Sequence, residues 1–86
     1  LLSRLFISAA AVDPLLGTSE TCLEEAEVKR ALVAMAGEVI LAVDASKLGT
    51  RAVAVGVEWD KVTTLVTELD PSDARLDPYR TLVKIL

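Results

Sequence analysis

An unbroken apolar run, Val39–Val43, constrains the fold more than any other stretch of the chain. The run stops at Asp44 and is followed by small and polar residues up to Gly49. A short apolar run with polar residues on both sides is typical of a strand buried on both faces, as in a parallel sheet. Ligands of open α/β sheets bind beyond the carboxyl ends of such strands. We therefore expect Asp44, Ser46 and Lys47 to lie at the edge of the sheet where ligands bind.

The segments around this strand supply the other elements of a layered fold. From apolar, β-branched and helical patterns we predict a strand at Leu2–Ser8, a helix at Thr21–Gly37, the central strand from Glu38 or Val39 to Asp44, a strand at Val62–Thr67 and a final strand at Thr81–Leu86. A short helix is predicted to start at Pro71, with Asp70 as its cap, and to stop at Pro78. The stretch Arg51–Val57 fits a short strand or a loosely wound segment equally well.

The order of these elements predicts the fold class. A strand, a helix and a second strand form a βαβ unit, and its right-handed crossover makes the two strands parallel. We predict a Rossmann-like layered α/β fragment with a mostly parallel sheet, in the order β-α-β-(β)-β-α-β. The 86 residues are rich in aliphatic side chains but short for this class, which favours a sheet that continues elsewhere or a domain that associates with its own copy. We expect residues 1–86 to be one domain fragment whose upstream part is absent.

The helix carries the clearest local signals in the chain. Thr21 and Glu24 have the spacing of a capping box, and Gly37 is predicted to end the helix in the left-handed conformation. Glu25 and Lys29 have the spacing of a favourable ion pair on one helix face. Apolar residues at helical spacing form one stripe, made of Val28, Ala31, Leu32 and Met35.

Two further predictions concern the surroundings of Asp44. Pro14 and Gly17 interrupt the chain, so 13–19 is predicted to be a loop that leaves the first strand on the same edge as Asp44. Glu68, at the end of the third strand, places a second acid on that edge. Trp59 has charged neighbours and is predicted to be a partly covered residue at an edge position.

Composition excludes several classes of function. Thirteen acids against nine bases argue against direct nucleic-acid binding, which needs a basic face. With no histidine and one cysteine, a zinc site would need carboxylates alone. The single cysteine excludes an internal disulfide and fits a cytoplasmic location. No apolar stretch approaches the roughly 20 residues of a membrane span, so no membrane contact is expected.

The residues themselves leave one candidate site and two open interpretations of it. Glycine-rich phosphate loops and a nucleophile with a histidine base are absent. What remains is Asp44–Lys47, faced by Gly17 and Thr18. The Lys47 ammonium, with a hydroxyl and free backbone amides nearby, suits an anionic oxygen such as phosphate. The alternative is a surface lysine without a ligand and an aspartate that caps a turn.

Three blocks, 23–31, 39–49 and 65–67, resemble in sequence, order and spacing the C-terminal effector domain of DeoR-type bacterial transcriptional regulators. The resemblance implies a fold similar to ribose-5-phosphate isomerase and coenzyme A transferases. It also implies a cytoplasmic repressor that senses a phosphorylated sugar or sugar metabolite, associates with its own copies, and binds DNA only through an N-terminal winged helix-turn-helix absent from this sequence. No cofactor is implied.

The resemblance carries over to individual residues unevenly. Asp44, Ser46 and Lys47 match the family's Asp-x-Ser-Lys block, and Gly17-Thr18 matches a glycine-threonine pair of its first edge loop. The family's glycine–small–aspartate–glycine pattern falls on 8–11, so its aspartate is replaced by Ala10. Glu68 stands where an aspartate is usual. A sugar-phosphate isomerase-like enzyme and a sensor that has lost its ligand and serves only in dimerisation remain as alternatives.

Overall fold

The computed structural model describes residues 2–86, so Leu1, the first residue of the predicted domain, lies outside the described residues. The elements in chain order are β1 (Leu2–Ile7), β2 (Ala11–Asp13), β3 (Gly17–Glu20), α1 (Leu23–Ala34), β4 (Ala36–Ala42), β5 (Ala54–Val55), β6 (Thr64–Val66) and β7 (Lys84–Ile85). Short 3₁₀ helices span Ala45–Lys47, Trp59–Lys61 and Ala74–Tyr79. No helix within residues 2–86 is long and apolar enough to cross a membrane.

The main sheet has four parallel strands in the order β1-β4-β6-β7. The predicted α/β class with a mostly parallel sheet is therefore confirmed, as is the βαβ unit formed by β1, α1 and β4. Val39, Ile40 and Leu41 are all buried in the centre of β4, as predicted for the central run, whereas Ala42 at the end of β4 is exposed. The third predicted strand is confirmed as β6, whereas the final one is reduced to the two residues of β7.

The first strand forms where it was predicted, but the prediction that it is buried is wrong. β1 lies at the edge of the main sheet, and Phe6 is 70% exposed. Leu5 and Ile7 point to the opposite face, where they pack into the core with Val39 and Leu41. Successive side chains of a strand point to opposite faces, so the core covers only the face that carries Leu5 and Ile7.

The predicted loop after β1 is a β-hairpin. β2 and β3 pair antiparallel around a turn at 14–16, and β5 adds a third strand beside β3. Gly17 has φ +93°, and a Cβ at this position would lie 2.2 Å from the carbonyl oxygen of Val57. Val12 of β2 forms a parallel bridge to Leu48. This bridge fastens the hairpin to the segment that follows β4.

Packing of the helix overrides several of its local signals. Cys22 precedes the first turn without a side-chain hydrogen bond, so the capping box of Thr21 and Glu24 does not form. The helix ends at Ala34, and Gly37 lies in β4 with no left-handed φ. The buried helix residues are Ala26 and Val33, whereas the predicted apolar stripe is largely exposed: Val28 by 59% and Met35 by 46%.

Trp59 belongs to the core, contrary to its predicted edge position. Its side chain is 7% exposed, and Nε1 donates a hydrogen bond of 2.8 Å to the carbonyl oxygen of Asp13. The indole meets the Tyr79 ring edge-to-face at a centroid distance of 5.4 Å. Near Tyr79, the predicted helix start at Pro71 with Asp70 as its cap is wrong, because the 3₁₀ helix begins at Ala74 and is capped by Asp73. The predicted stop at Pro78 is also wrong, because this helix includes Pro78 and ends at Tyr79.

Candidate functional site

Two neighbouring parallel strands, β4 and β6, end side by side at what we call the carboxyl edge. Ala42 pairs with Val66, and the Val43 N–H donates to the Val66 carbonyl at 3.1 Å. Asp44 and Glu68 each lie two residues beyond a paired strand end, and both line an open cleft of about 320 Å³. The topology thus brings both predicted acids to the same edge.

Asp44 and Ser46 are hydrogen-bonded to each other. The Asp44 carboxylate accepts the Ser46 backbone N–H at 3.0 Å and also accepts the Ser46 hydroxyl. These hydroxyl and backbone hydrogen bonds, together with the nearby charge of Lys47, lower the pKa of Asp44 against the opposing effect of desolvation. Asp44 therefore caps the short 3₁₀ turn, as the second interpretation of this residue held, and it is an ionised acceptor at neutral pH.

Glu68 joins β6 to the turn after β4. Its carboxylate accepts the backbone N–H of Ala45, with distances of 2.8 Å to Oε1 and 3.2 Å to Oε2. The Ser46 N–H is already bonded to Asp44, and the Lys47 N–H donates to the Asp44 carbonyl at 3.0 Å. The backbone amides predicted to be free for an anion are thus occupied by acceptors of the chain itself.

Lys47 is the part of this site that retains its donors. Within residues 2–86, its half-buried side chain takes part in no hydrogen bond or ion pair. The backbone beneath it is held firmly, because the Thr50 hydroxyl donates to the Lys47 carbonyl at 2.6 Å. Gly49, with φ +74°, turns the chain two residues later. A fixed backbone with an uncommitted ammonium is suited to binding an anion.

Gly17 and Thr18 do not lie together with Lys47. Thr18 is fully buried, and its Oγ1 accepts the Val57 N–H at 2.8 Å. Val12 pairs with Thr18 on one side and bridges Leu48 on the other, so β2 separates the two halves of the predicted site. The structure gives Gly17 and Thr18 a packing role next to the turn of the hairpin.

Arg75 and Tyr79 are residues of this edge that sequence reasoning missed. They line a cleft of about 200 Å³ together with Ala45 and Gly49. The Tyr79 hydroxyl accepts the Gly49 N–H at 3.0 Å, and burial raises the pKa of Tyr79. Because both residues lie about 30 positions downstream in a short 3₁₀ helix, no local motif marks them.

The Arg75 guanidinium is a second cation near Glu68. It bonds Asp73 through Nε at 3.1 Å and Nη2 at 2.9 Å, and its side chain is 64% exposed. The hydrogen bond that Arg75 donates to the Asp73 carboxylate is the main cause of the raised pKa of Arg75, and the charge of Glu68 adds a smaller effect. In return, the hydrogen bonds that Arg75 donates lower the pKa of Asp73 to about 2.

A buried acid lies near the position where Ala10 replaces the expected aspartate. Glu20 is 1% exposed, and its Oε1 accepts a hydrogen bond of 2.9 Å from Lys29 Nζ. The same ammonium donates to the Ser8 carbonyl at 2.7 Å, just beyond the end of β1. Lys29 therefore pairs with Glu20 and not with Glu25 as predicted. Within the described residues, no three metal-ligating side chains converge.

Comparison with known proteins identifies the family. A family model described as the DeoR C-terminal sensor domain matches residues 2–69, a range that extends from β1 past Glu68 and includes Asp44–Lys47. A search of curated proteins finds no match. The matched range covers more than half of the chain and all of the main sheet except β7. The chain therefore belongs to the DeoR family of transcriptional regulators, as a C-terminal sensor domain with an effector-binding role.

Proposed function

We propose that this domain binds a phosphorylated sugar or sugar metabolite at the carboxyl edge, and that binding is transmitted to a DNA-binding domain elsewhere in a cytoplasmic repressor. The observation that carries the proposal is the uncommitted ammonium of Lys47 beside the Asp44–Ser46 pair, within the matched range. A phosphate needs positive charge and donors, and a sugar ring needs acceptors for its hydroxyls. Lys47 supplies the positive charge and the donors for the phosphate, and Asp44 supplies the acceptors for the sugar hydroxyls.

Each residue of the edge has a separate role in this proposal. Lys47 contacts the phosphate oxygens, and Arg75 adds a second positive charge from the neighbouring cleft. The Asp44 carboxylate accepts a hydrogen bond from a sugar hydroxyl, using lone pairs that do not accept from Ser46. Gly17 and Thr18 act through the hairpin, since Thr18 pairs with Val12 and Val12 bridges the Leu48 backbone.

The partners of the domain follow from the same proposal. A net charge of −4 gives the chain little attraction for DNA, so contact with an operator is assigned to a winged helix-turn-helix in another part of the protein. Self-association is proposed because a parallel sheet normally has both faces covered, whereas the face that carries Phe6 is open here. The chain is proposed not to be an enzyme.

The test is calorimetric titration of a panel of pentose and hexose phosphates into the intact protein that carries this domain. For the sugar phosphate that binds, Lys47→Ala is expected to weaken affinity by about tenfold to hundredfold, the range of a lost charge-assisted hydrogen bond. Lys84→Ala removes an exposed lysine from β7 and serves as the matched control. Binding that Lys47→Ala leaves unchanged would contradict the assigned role.

The two alternatives give different outcomes in the same preparation. Turnover of a pentose phosphate to its ketose isomer would favour the isomerase-like enzyme, which needs a general base at the sugar C2 proton. If no sugar phosphate binds while light scattering shows a stable dimer, the domain is a dimerisation module without a ligand. Binding without turnover supports the sensor.

A further inference from the structure

A second cleft lies at the opposite edge of the main sheet, where β4 begins. We call it the amino-edge cleft; it is formed by the last turns of α1, the start of β4 and the segment from Gly56 to Lys61, and has a volume of about 550 Å³. This is larger than the open cleft of about 320 Å³ at the carboxyl edge. Small-molecule sites usually occupy about 300–1,000 Å³. The amino-edge cleft therefore has the size of a ligand site.

The floor of the amino-edge cleft is apolar and narrow. Val33 from α1 is 7% exposed and Val57 is 2% exposed, so both belong to the core and present only a small surface to the cleft. Ala34 and Ala36 complete the wall with short side chains. Such a floor accommodates a short aliphatic body, whose burial there is favourable.

Charged side chains stand around this apolar floor without neutralising one another. Arg30 and Lys61 supply two positive charges and Glu58 one negative charge. Among the described residues, none of the three forms an ion pair. The cleft thus has a net positive charge on a chain whose formal net charge is −4. Such a local excess of positive charge attracts an anion.

Arg30 is held in a position to bind that anion. Its Nη1 donates a hydrogen bond of 2.6 Å to the carbonyl oxygen of Val55, which joins the helix to β5. This bond ties down one nitrogen and leaves donors on the other two nitrogens of the guanidinium. A guanidinium binds a planar carboxylate with two parallel hydrogen bonds, which an ammonium cannot do.

We propose that the amino-edge cleft is a second ligand site, for a small carboxylate with a short apolar body. Arg30 binds the carboxylate, Lys61 adds charge, and the aliphatic part rests on Val33 and Val57. Glu58 faces the remaining side and accepts a hydroxyl or amino group, so a 2-hydroxy or 2-amino acid fits better than the plain acid. The proposal is independent of the carboxyl edge, because the two clefts share no residue.

The test is a nuclear magnetic resonance titration of the intact protein with butyrate, 2-hydroxybutyrate and, as the uncharged control, 1-butanol. Saturable amide shifts are expected at 34–36 and 56–61 with the two acids, at lower concentration for 2-hydroxybutyrate. Arg30→Met is expected to abolish these shifts. Arg30→Lys is expected to weaken binding about tenfold, because it keeps the positive charge but cannot donate two parallel hydrogen bonds to the carboxylate. Lys84→Met should bind as the unmodified protein does.

Several outcomes would overturn this proposal. Equal binding of 1-butanol would show an apolar groove without anion selectivity. Shifts that centre on Lys47 would move the acid to the carboxyl edge, and the absence of saturable shifts with either acid would remove the site. Circular dichroism shows whether Arg30→Met is folded. If Arg30→Met is unfolded, the test depends on Arg30→Lys and Lys84→Met, and equal binding of 2-hydroxybutyrate by these two variants would overturn the proposal.

Discussion

Lys29 Nζ lies 2.9 Å from Glu20 Oε1, and this ion pair joins α1 to the hairpin in a part of the protein from which water is largely excluded. The Glu20 side chain is 2% exposed and that of Lys29 21%. The other carboxylate oxygen, Glu20 Oε2, is buried and has no hydrogen-bond partner among residues 2–86. A buried carboxylate that already lacks one partner depends heavily on the remaining one.

Lys29→Met is therefore expected to destabilise the protein by about 3 kcal/mol, since it leaves the Glu20 charge buried and unpaired. Glu20→Gln should destabilise the protein less than Lys29→Met, because a neutral amide replaces the carboxylate and no buried negative charge is left unpaired. The measurement is urea unfolding at pH 7. Arg4→Met, which breaks the exposed Arg4–Glu38 pair, is the control and should change the free energy of unfolding by less than about 1 kcal/mol. Equal effects of Lys29→Met and Arg4→Met would disprove the importance of the buried pair.

Gly17 and Gly49 form a matched pair for a second prediction. Both have positive φ, +93° and +74°, so an added side chain strains the backbone at either position, by about 1–2 kcal/mol. At Gly17 a Cβ would also lie 2.2 Å from the Val57 carbonyl oxygen, whereas at Gly49 nothing lies within 4 Å. Gly17→Ala is expected to lower the free energy of unfolding by at least about 2 kcal/mol more than Gly49→Ala does, as measured by thermal unfolding. Similar costs would mean that the hairpin does not pack tightly on Val57.

Asp73 is expected to contribute to stability in a defined pH range. Hydrogen bonds from the Arg75 side chain and backbone lower its pKa in the folded protein to about 2, against 3.8 for the free side chain. A lowered pKa means that the folded state prefers the ionised carboxylate, so the contribution is complete above pH 3.8 and is lost as the pH falls towards 2. The difference in urea midpoint between Asp73→Asn and the unmodified protein should therefore shrink over this interval. A difference that stays constant down to pH 2 would show that Asp73 acts through packing.

Glu68 offers a test of the electrostatics proposed for the carboxyl edge. Glu68→Gln keeps an oxygen that accepts the Ala45 N–H but removes a negative charge close to the proposed phosphate position. Sugar-phosphate binding is expected to tighten by about two- to tenfold, and the gain should diminish at 1 M salt, where the Debye length is about 3 Å. Calorimetry at two salt concentrations measures both effects. Weaker binding by Glu68→Gln would instead assign the carboxylate a direct contact with the ligand.

Local sequence patterns determined the framework of this protein. The apolar run of β4 predicted a buried central strand, and the strand–helix–strand order predicted a parallel βαβ unit; both are present. The Asp44 and Glu68 acids were placed correctly on one edge, because the carboxyl ends of parallel strands lie on the same side of a sheet, and the ends of β4 and β6 are paired with each other. These features depend on side-chain period and on handedness, which are properties of short segments.

Only the tertiary structure decided which side chains are available to a ligand. The sequence cannot show that the Thr18 hydroxyl oxygen accepts a hydrogen bond from the Val57 N–H, or that Lys29 pairs with Glu20 nine positions away. Nor can it show that Arg75 lines the same cleft as Ala45. The helix stripe with Val28 was predicted from its spacing, yet Ala26 and Val33 are the helix residues that are buried. Burial and hydrogen-bond partners are set by contacts between residues distant in sequence, and helical or strand periodicity carries no information about those contacts.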